Sequence, residues 1–178
     1  MKRNSQKTSV GQLIMQRKFC LANEFLSPLA KIIQEGFAHR AKQGKRLTPR
    51  NLALGHAIKY AIKGEFPNFH IDPALVLLSD GPIREITILK VRRMGSSVSV
   101  NFDGGALTKM NHDDEIQLIA YHLEDRVAIR SHRTVNRSMK LISLSLPDYL
   151  LDAQLYLYIL VCDRDGVCYA RSQYAGVV

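Results

Sequence analysis

The chain has 178 residues, of which 46% are hydrophobic and 23% charged, a composition typical of globular proteins that excludes a disordered chain. This length suits one ordinary domain or two small units. No run of about 18 apolar residues occurs, so no membrane-spanning helix is predicted. The basic first residues lack the apolar stretch of a signal peptide. We therefore expect a soluble, unexported protein, cytoplasmic by default.

The net charge of +9 is concentrated in the first third of the chain. Residues 1–64 contain 13 Lys and Arg and 2 acids, a net of +11, whereas residues 65–178 contain 12 Lys and Arg and 14 acids, a net of −2. Such asymmetry is found in proteins that bind nucleic acid, an anionic surface or an acidic protein. It also occurs where helical Lys and Arg are simply solvated, so charge alone leaves the partner open.

The apolar residues of the first third recur at helical spacing. Ser27-Pro28 and Thr48-Pro49 are caps followed by proline, a pairing typical of helix starts. We predict helices over about 9–26 and 28–39, or one sharply kinked helix over both, and a further helix from Thr48 to Gly64. The apolar stripe of the first two is made of Val10, Leu13, Ile14, Leu21, Phe25, Leu29, Ile32, Ile33 and Phe37.

After Gly64 the apolar period changes to two, and turn signals separate short runs. This pattern predicts an antiparallel β-sandwich. The predicted strands are His70–Leu78, Glu85–Arg92, Ser97–Phe102, Glu115–His122, Arg126–Arg130, Met139–Leu146, Leu155–Asp163 and Val167–Tyr174.

These two patterns divide the chain into three parts. We interpret residues 1–9 as a flexible lead-in, residues 10–64 as a basic α-helical unit and residues 65–178 as the sandwich domain. The fold class is therefore α+β. The helical unit is too small to be comfortable alone, so its apolar stripe is expected to pack on the sandwich or on another chain.

Two cysteines, Cys162 and Cys168, flank a tight loop near the end of the chain. A type I turn at Arg164-Asp165 with Gly166 in the left-handed position would place the two cysteines opposite each other. Three interpretations remain: two free thiols, a cross-strand disulfide, or metal ligands. The spacing C-x5-C disfavours a metal site, and Cys20 fits a small core residue.

The predicted strand at Leu155–Asp163 is apolar on both faces. Leu155, Leu157, Ile159 and Val161 share one face, and Tyr156, Tyr158, Leu160 and Cys162 share the other. A strand apolar on both sides is usually covered on both. The helical unit is the favoured cover, and an exposed face at Tyr156 and Tyr158 that binds a partner is the alternative.

Basic residues cluster before the third predicted helix. Because helix N-termini favour anions, this cluster is a candidate contact for phosphate or a nucleic-acid backbone, with no support for base reading. Its members are Arg40, Lys42, Lys45, Arg46 and Arg50.

No catalytic or cofactor motif is assembled in the sequence. His70 and Asp72 would share a strand face, but no nucleophile motif accompanies them. The acidic run at 111–115 and the Asp163-Arg164-Asp165-Gly166 loop lack the full spacing of a calcium loop. We predict no cofactor, no metal and no enzyme activity.

Several motifs resemble an uncharacterised bacterial family known only as a domain of unknown function. They are F-L-S-P-L at 25–29, T-P-x-N-x-A at 48–53, P-x-F-x-I-D at 67–72, the Asp165-Gly166 hairpin and the closing Y-x-G at 174–176. The resemblance covers about residues 12–176. It implies a helical segment joined to an immunoglobulin- or fibronectin-III-like sandwich, and it brings no known activity and no catalytic residues.

Two functions are carried forward. The first is a non-enzymatic interaction or structural module, with a protein partner or self-association, as a subunit of a larger assembly or of a mobile-element particle. The alternative is a protein that binds the phosphate backbone of nucleic acid through its basic N-terminal helices.

Overall fold

The computed structural model describes residues 9–44 and 47–178. Within them, α1 spans Val10–Leu26, α2 Ala30–Gly36, α3 Ala38–Gln43 and α4 Pro49–His56, and α4 continues into a π-helical turn at Ala57–Ala61. Ser9 and Gln12 form a capping box on α1, and the Thr48 hydroxyl caps α4 by accepting from the backbone N–H of Asn51 at 3.2 Å. The predicted lead-in therefore lies mostly outside the described residues.

The predicted helix over 28–39 is wrong in detail, because the segment contains two short helices. α2 ends at Gly36, and Phe37 leaves helical geometry with φ −109° and ψ 1° before α3 begins. Gly36 is required there, since an added Cβ would lie 2.4 Å from the carbonyl oxygen of Leu78 and 2.6 Å from Cβ of Ser79. Close packing of α2 on the segment after residue 75 thus sets the break.

The predicted strand His70–Leu78 is also wrong beyond its first two residues. Strand β2, His70–Ile71, pairs with β1, Ile62–Lys63. Pro73, which has no N–H for a sheet ladder, starts a 3₁₀ turn over Pro73–Leu75, and the Asp72 carboxylate caps this turn. The next five residues, 76–80, form an extended strap whose side chains are largely buried against the helices.

Two antiparallel sheets form the sandwich. The first has the order β3-β4-β8 and the second β10-β9-β5-β6, with β7 also paired to β5. The strands are β3 Thr87–Met94, β4 Ser97–Asp103, β5 Glu115–His122, β6 Val127–Arg130, β7 Val135–Asn136, β8 Leu141–Ser145, β9 Tyr156–Cys162 and β10 Gln173–Val177.

The second sheet is buried on both faces, and each face belongs to a different core. Its inner face packs on the first sheet through Leu157 and Ile159 of β9 and their neighbours on β5. Its outer face carries Tyr158, Leu160 and Cys162, which pack under the helices and the strap. The helices therefore cover the second face of β9, as the favoured interpretation of the sequence stated.

Two predicted strands begin later than expected. Lys140 takes a left-handed φ of 58° after a 3₁₀ turn at Arg137–Met139, so β8 starts at Leu141 and not at Met139. The segment 167–172 contains only isolated bridges, and the last strand runs instead from Gln173 to Val177. The alternation of apolar residues continues through the 3₁₀ turn and through the segment 167–172, so it could not locate where these two strands begin.

Candidate interaction surfaces

The first eleven residues of α1, Val10–Cys20, form an exposed arm, named here the α1 arm. Four of its apolar side chains are exposed: Val10 is 65% exposed, Leu13 41%, Met15 54% and Phe19 50%. Ile14 is half-buried, and the buried residues of α1 begin only at Ala22. The helix is therefore anchored mainly by its last turn and a half, and the four exposed side chains have little cover among the described residues.

The segment before the arm is chemically unsuited to cover it. Residues 1–8 read MKRNSQKT, in which Met1 is the one apolar side chain and three residues are basic. Burying the arm would instead require several apolar side chains. The sole aromatic contact of the arm within the described chain is Lys18, whose ammonium lies 4.9 Å from the centroid of the Phe69 ring.

Three of the five residues in the basic cluster predicted before the third helix lie within the described residues. Arg40 forms an ion pair with Asp80 on the strap, and Arg50 donates to Oδ1 of Asn23 at 2.6 Å. Lys42 is exposed. Lys45 and Arg46 lie outside the described residues, so this candidate contact with an anion stays a prediction.

Both acids of the helical unit pair with arginines of the sandwich. Glu35 binds Arg130 at 2.6 Å, and Glu24 lies 3.7 Å from Arg126. The Arg40–Asp80 pair links the two parts with the opposite polarity. Part of the charge asymmetry of the sequence is therefore used within the chain, to orient the helices on the sheet.

The predicted register of the two cysteines is wrong. The type I turn and the left-handed Gly166, with φ 64°, are present, and the Gly166 N–H donates to the carbonyl oxygen of Asp163 at 2.9 Å. However, the Asp163 carboxylate also accepts from the N–H groups of Val167 and Cys168, at 2.7 and 3.1 Å. This lengthens the loop by one residue, so Cys162 pairs with Tyr169.

All three cysteines are free thiols in the structure. The one-residue slip directs Cys168 away from Cys162, because neighbouring residues of an extended segment point to opposite sides. Cys162 is buried in the helix-facing core beside Tyr169. Burial, followed by the charges of Glu115 and Asp163, raises the pKa of Cys162 to about 12, so this thiol stays protonated and unreactive at neutral pH.

The tyrosine face is used inside the molecule. Tyr158 is fully buried, and its hydroxyl donates to the carbonyl oxygen of Pro73 at 2.8 Å. Tyr121 on the adjacent strand donates in the same way to the carbonyl of Phe25 at 3.2 Å. Tyr156 is half-buried. An exposed binding face at Tyr156 and Tyr158 is therefore wrong, because the helices occupy that face.

A buried ion pair joins Arg137 to Asp114 within the sandwich. Arg137 is 1% exposed, and its Nε donates to the Asp114 carboxylate at 2.8 Å. Its guanidinium also donates to the backbone carbonyls of Gly104, at 3.1 Å, and of Arg84. Each of the three guanidinium nitrogens therefore has a partner inside the protein. This arginine holds three loops together, and none of its nitrogens is left for a ligand.

The folded chain also forms a cationic cleft that the sequence pattern did not predict. Arg40, His56 and Arg171 converge on a cavity of 440 Å³ between α3, α4 and the segment before β10. These residues are far apart in sequence, and nothing in the local pattern around Arg171 marked it. Only the docking of the helices on the sheet brings the three side chains together.

Neither a metal cluster nor a membrane span is found in the described part of the chain. No three His, Cys, Asp or Glu side chains within 9–44 and 47–178 gather where they could hold a metal ion. Over the same residues, no helix is both long and apolar enough to cross a membrane.

The architecture is that of an antiparallel β-sandwich braced by N-terminal helices. The chain belongs to a family of unknown function, DUF6266, whose sequence profile matches residues 3–176. This confirms the resemblance found in the sequence motifs. No curated protein matches the chain.

Solved structures of fibronectin III domains are similar to part of the chain. The chicken CNTN1 FN1–FN3 domains align with 56% of this chain and 32% of their own, at 14% identity and a TM-score of 0.40. The fn3 domain of human contactin 1 aligns with 56% of this chain and 77% of its own, at 20% identity and a TM-score of 0.35. Neither similarity bears on function.

Proposed function

We propose that this protein is a non-enzymatic interaction module whose α1 arm docks into an apolar groove, with an acidic rim, on a partner protein. The observation that carries the proposal is the exposure of Val10, Leu13, Met15 and Phe19 on one continuous helix. Soluble proteins rarely leave such apolar stretches uncovered unless another molecule covers them.

The distribution of apolar residues around the arm favours a groove over a flat surface. Phe19 follows Val10 by nine positions, which at about 100° per residue places the two side chains on opposite sides of the helix. Leu13 lies near Val10, and Met15 lies near Phe19. A membrane surface would cover one side of such a helix, whereas a groove covers both, as in other helix-in-groove complexes.

The charge of the arm indicates the chemistry of the rim. Arg17 and Lys18 are the charged residues of α1 before Glu24, so the arm has no acid. Opposite charge at the rim of a partner would steer association and fix the orientation of the helix. In a second copy of this chain, the 640 Å³ groove between β6 and β8 has the wrong sign, because Arg130, His132 and Arg133 line it. The 360 Å³ groove beside Phe25 contains two glutamates, but Glu24 there is already paired with Arg126, so we favour a different protein as the partner.

The test is site-specific photocross-linking in cells of the source organism. A benzophenone amino acid replaces Phe19 in one variant and Leu89 in the control, because Leu89 is an exposed apolar residue of β3. We expect the variant with the probe at position 19 to form adducts with one acidic protein. The variant with the probe at position 89 should form no adduct with that protein. The captured protein is then purified, and its affinity for the full chain is measured.

The affinity measurements use a matched pair of methionines. Met15→Ser on the arm should weaken binding about tenfold or more, as expected for an anchor side chain in a groove, whereas Met94→Ser on β3 should leave it unchanged. Arg17→Glu should slow association and invert the salt dependence. Equal effects of the two methionines, adducts formed with a second copy, or binding of the arm to anionic lipid vesicles would each overturn the proposal.

A further inference from the structure

The cationic cleft has a rigid floor. The strap and the segment before β10 are joined by a ladder of buried hydrogen bonds: the N–H of Leu78 donates to the Ser172 hydroxyl at 2.8 Å, and the Ser79 hydroxyl donates to the carbonyl of Ala170 at 2.8 Å. The N–H of Ser172 closes the ladder on the Ser79 carbonyl at 3.0 Å. The backbone from which Arg171 extends is therefore held in place before any ligand arrives.

Positive charge enters the cleft from two separate elements. Arg40 comes from α3, and Arg171 comes from the segment before β10. Asp80 is the acid among the lining residues, and it pairs with Arg40. That pair orients the Arg40 guanidinium but uses only part of its five N–H donors.

Arg171 is the free cation of this group. Within the described residues it is exposed and makes neither an ion pair nor a side-chain hydrogen bond. An arginine without a partner, fixed at the rim of a concave site, is the kind of group that binds an oxyanion through two parallel N–H donors. The cleft therefore retains unneutralised positive charge after the Arg40–Asp80 pair is formed.

Apolar and aromatic side chains also line the cleft. They are Ala74, Leu75, Leu77 and Tyr60, whose ring is tilted by 41° against the His56 imidazole with centroids 4.7 Å apart. At 440 Å³ the cavity is larger than a phosphate or carboxylate group needs and lies within the usual range of small-molecule sites. A ligand that fills it must combine a negative head with an apolar or aromatic body.

We infer that this cleft, which no other observation on the molecule assigns a role, binds a small oxyanion that carries an aromatic or apolar body, with Arg171 and Arg40 on the oxyanion and Tyr60 against the body. The environment of His56 agrees with this. Burial lowers the pKa of His56, and the charges of Arg171 and Arg40 lower it further, so both arginines lie close enough to act on a group inside the cleft.

The inference is tested by titrating the full-length protein with four probes at low salt, using calorimetry and amide chemical shifts. Phenyl phosphate and benzoate supply an aromatic body with a phosphate or a carboxylate head. Inorganic phosphate supplies the head alone, and benzamide is the neutral counterpart. We expect the aromatic oxyanions to bind more tightly than inorganic phosphate and benzamide not to bind, with shifts at His56 and Tyr60. The preferred head group then separates a phosphate ester from a carboxylic acid.

Two arginine variants make the test specific. Arg171→Gln should weaken the better aromatic oxyanion about tenfold, the loss expected for one hydrogen bond between charged groups. Arg92→Gln, which removes an exposed arginine of β3, should leave it unchanged. Neither side chain is buried, so both variants are expected to fold.

Three results would overturn the inference. The first is that neither aromatic oxyanion shows saturable binding. The second is that the two arginine variants bind the aromatic oxyanion with equal affinity. The third is that benzamide binds as tightly as the aromatic oxyanions. A further arm uses a double-stranded oligonucleotide. Salt-dependent binding of DNA that requires Arg171, without binding of phenyl phosphate, would replace the small ligand with a nucleic-acid backbone.

Discussion

The two faces of the second sheet are buried by different means. The inner face, against β3, β4 and β8, is built from Ile, Leu, Val and Ala with Phe102, and contains no tyrosine. The outer face, under the helices, contains Tyr121, Tyr158 and Tyr169 together with Cys162. The face that the helices cover thus carries tyrosines, whose rings are apolar and whose hydroxyls are polar. In a sandwich without helices, this face would meet water.

Tyrosine suits this outer face because its hydroxyl can satisfy backbone groups of the cover. Pro73 ends the ladder of β2 and Phe25 lies near the end of α1, and both carbonyls accept from buried tyrosines. A purely aliphatic face would remove these hydrogen bonds, each of which contributes about 0.5–1.5 kcal/mol to stability. The hydrogen bonds thus dock the helices in one position, which an aliphatic surface by itself does not specify.

The largest effect is expected when the cover is removed. A fragment of residues 65–178 keeps the strap but loses the helices, so it uncovers much of the outer face around Ile119, Tyr121 and Leu160, which would form an apolar patch on one sheet. We expect it to aggregate or to lose most of its thermal stability relative to the full chain, as followed by light scattering and circular dichroism. A monomeric fragment with an unchanged melting temperature would show that residues 65–178 form an independent domain.

A large effect is also expected on the inner face. Leu157→Ala leaves a cavity between the two sheets, where the side chain is fully buried, and should lower the free energy of unfolding by about 2–5 kcal/mol. Urea unfolding of the full chain measures this, with Leu89→Ala on the exposed side of β3 as the control. A loss below about 1 kcal/mol would mean that the inter-sheet core is not the main source of stability.

A smaller effect is expected from the outer-face hydroxyls. Tyr158→Phe removes the hydrogen bond to Pro73 while keeping the ring, and should lower the free energy of unfolding by about 1–2 kcal/mol. Tyr156→Phe, on a half-buried ring, should change it by less than about 0.5 kcal/mol. If the two variants behave alike, the hydroxyl of Tyr158 does not help to hold the cover.

The smallest effect concerns pH and reports on the docking of α4. The folded-state pKa of His56 is lowered from 6.5 by burial, then by Arg171 and Arg40, with Asp80 and Tyr60 as the other polar groups that line the same cleft. The unfolded state therefore takes up the proton first as the pH falls. Stability from neutral His56 is complete well above pH 6.5 and is lost as the pH drops through 6.5 toward the folded pKa.

The comparison that isolates this effect is between wild type and His56→Gln. Wild type should lose more stability than the variant between pH 7.5 and pH 5.5, because the acidic groups common to both cancel in the difference. Parallel pH profiles would show that His56 is solvated in the folded protein. Arg171→Gln should reduce the difference, since it removes one of the two charges that oppose protonation.

Local sequence patterns were reliable where a single element determines them. The bounds of α1 follow from Ser9 and the apolar spacing, and the alternation over residues 155–162 correctly assigned which side chains share a face. The left-handed position of Gly166 was predicted in the same way. Each depends on neighbours within a few residues, so periodicity and turn chemistry were sufficient.

Patterns failed where a side chain or another element competes with the backbone preference that the pattern assumes. The strand predicted through Asp72 and Pro73 gave way to a capped 3₁₀ turn and a strap that packs under the helices. One carboxylate, Asp163, shifted the register of the cysteines by accepting two extra N–H groups. The partners of Arg40 and Arg50, which are Asp80 and Asn23, lie at least 27 positions away and could not be read from local spacing.

The amino-acid sequence alone established the α+β class, the order of helices before strands and the apolar character of both faces of β9, because period and composition encode which side chains avoid water. The choice of cover for each face came from the folded chain. So did the exposure of the α1 arm and the meeting of Arg40, His56 and Arg171 in one cleft. These features depend on contacts between residues far apart in sequence, and the spacing of residues along the chain does not predict such contacts.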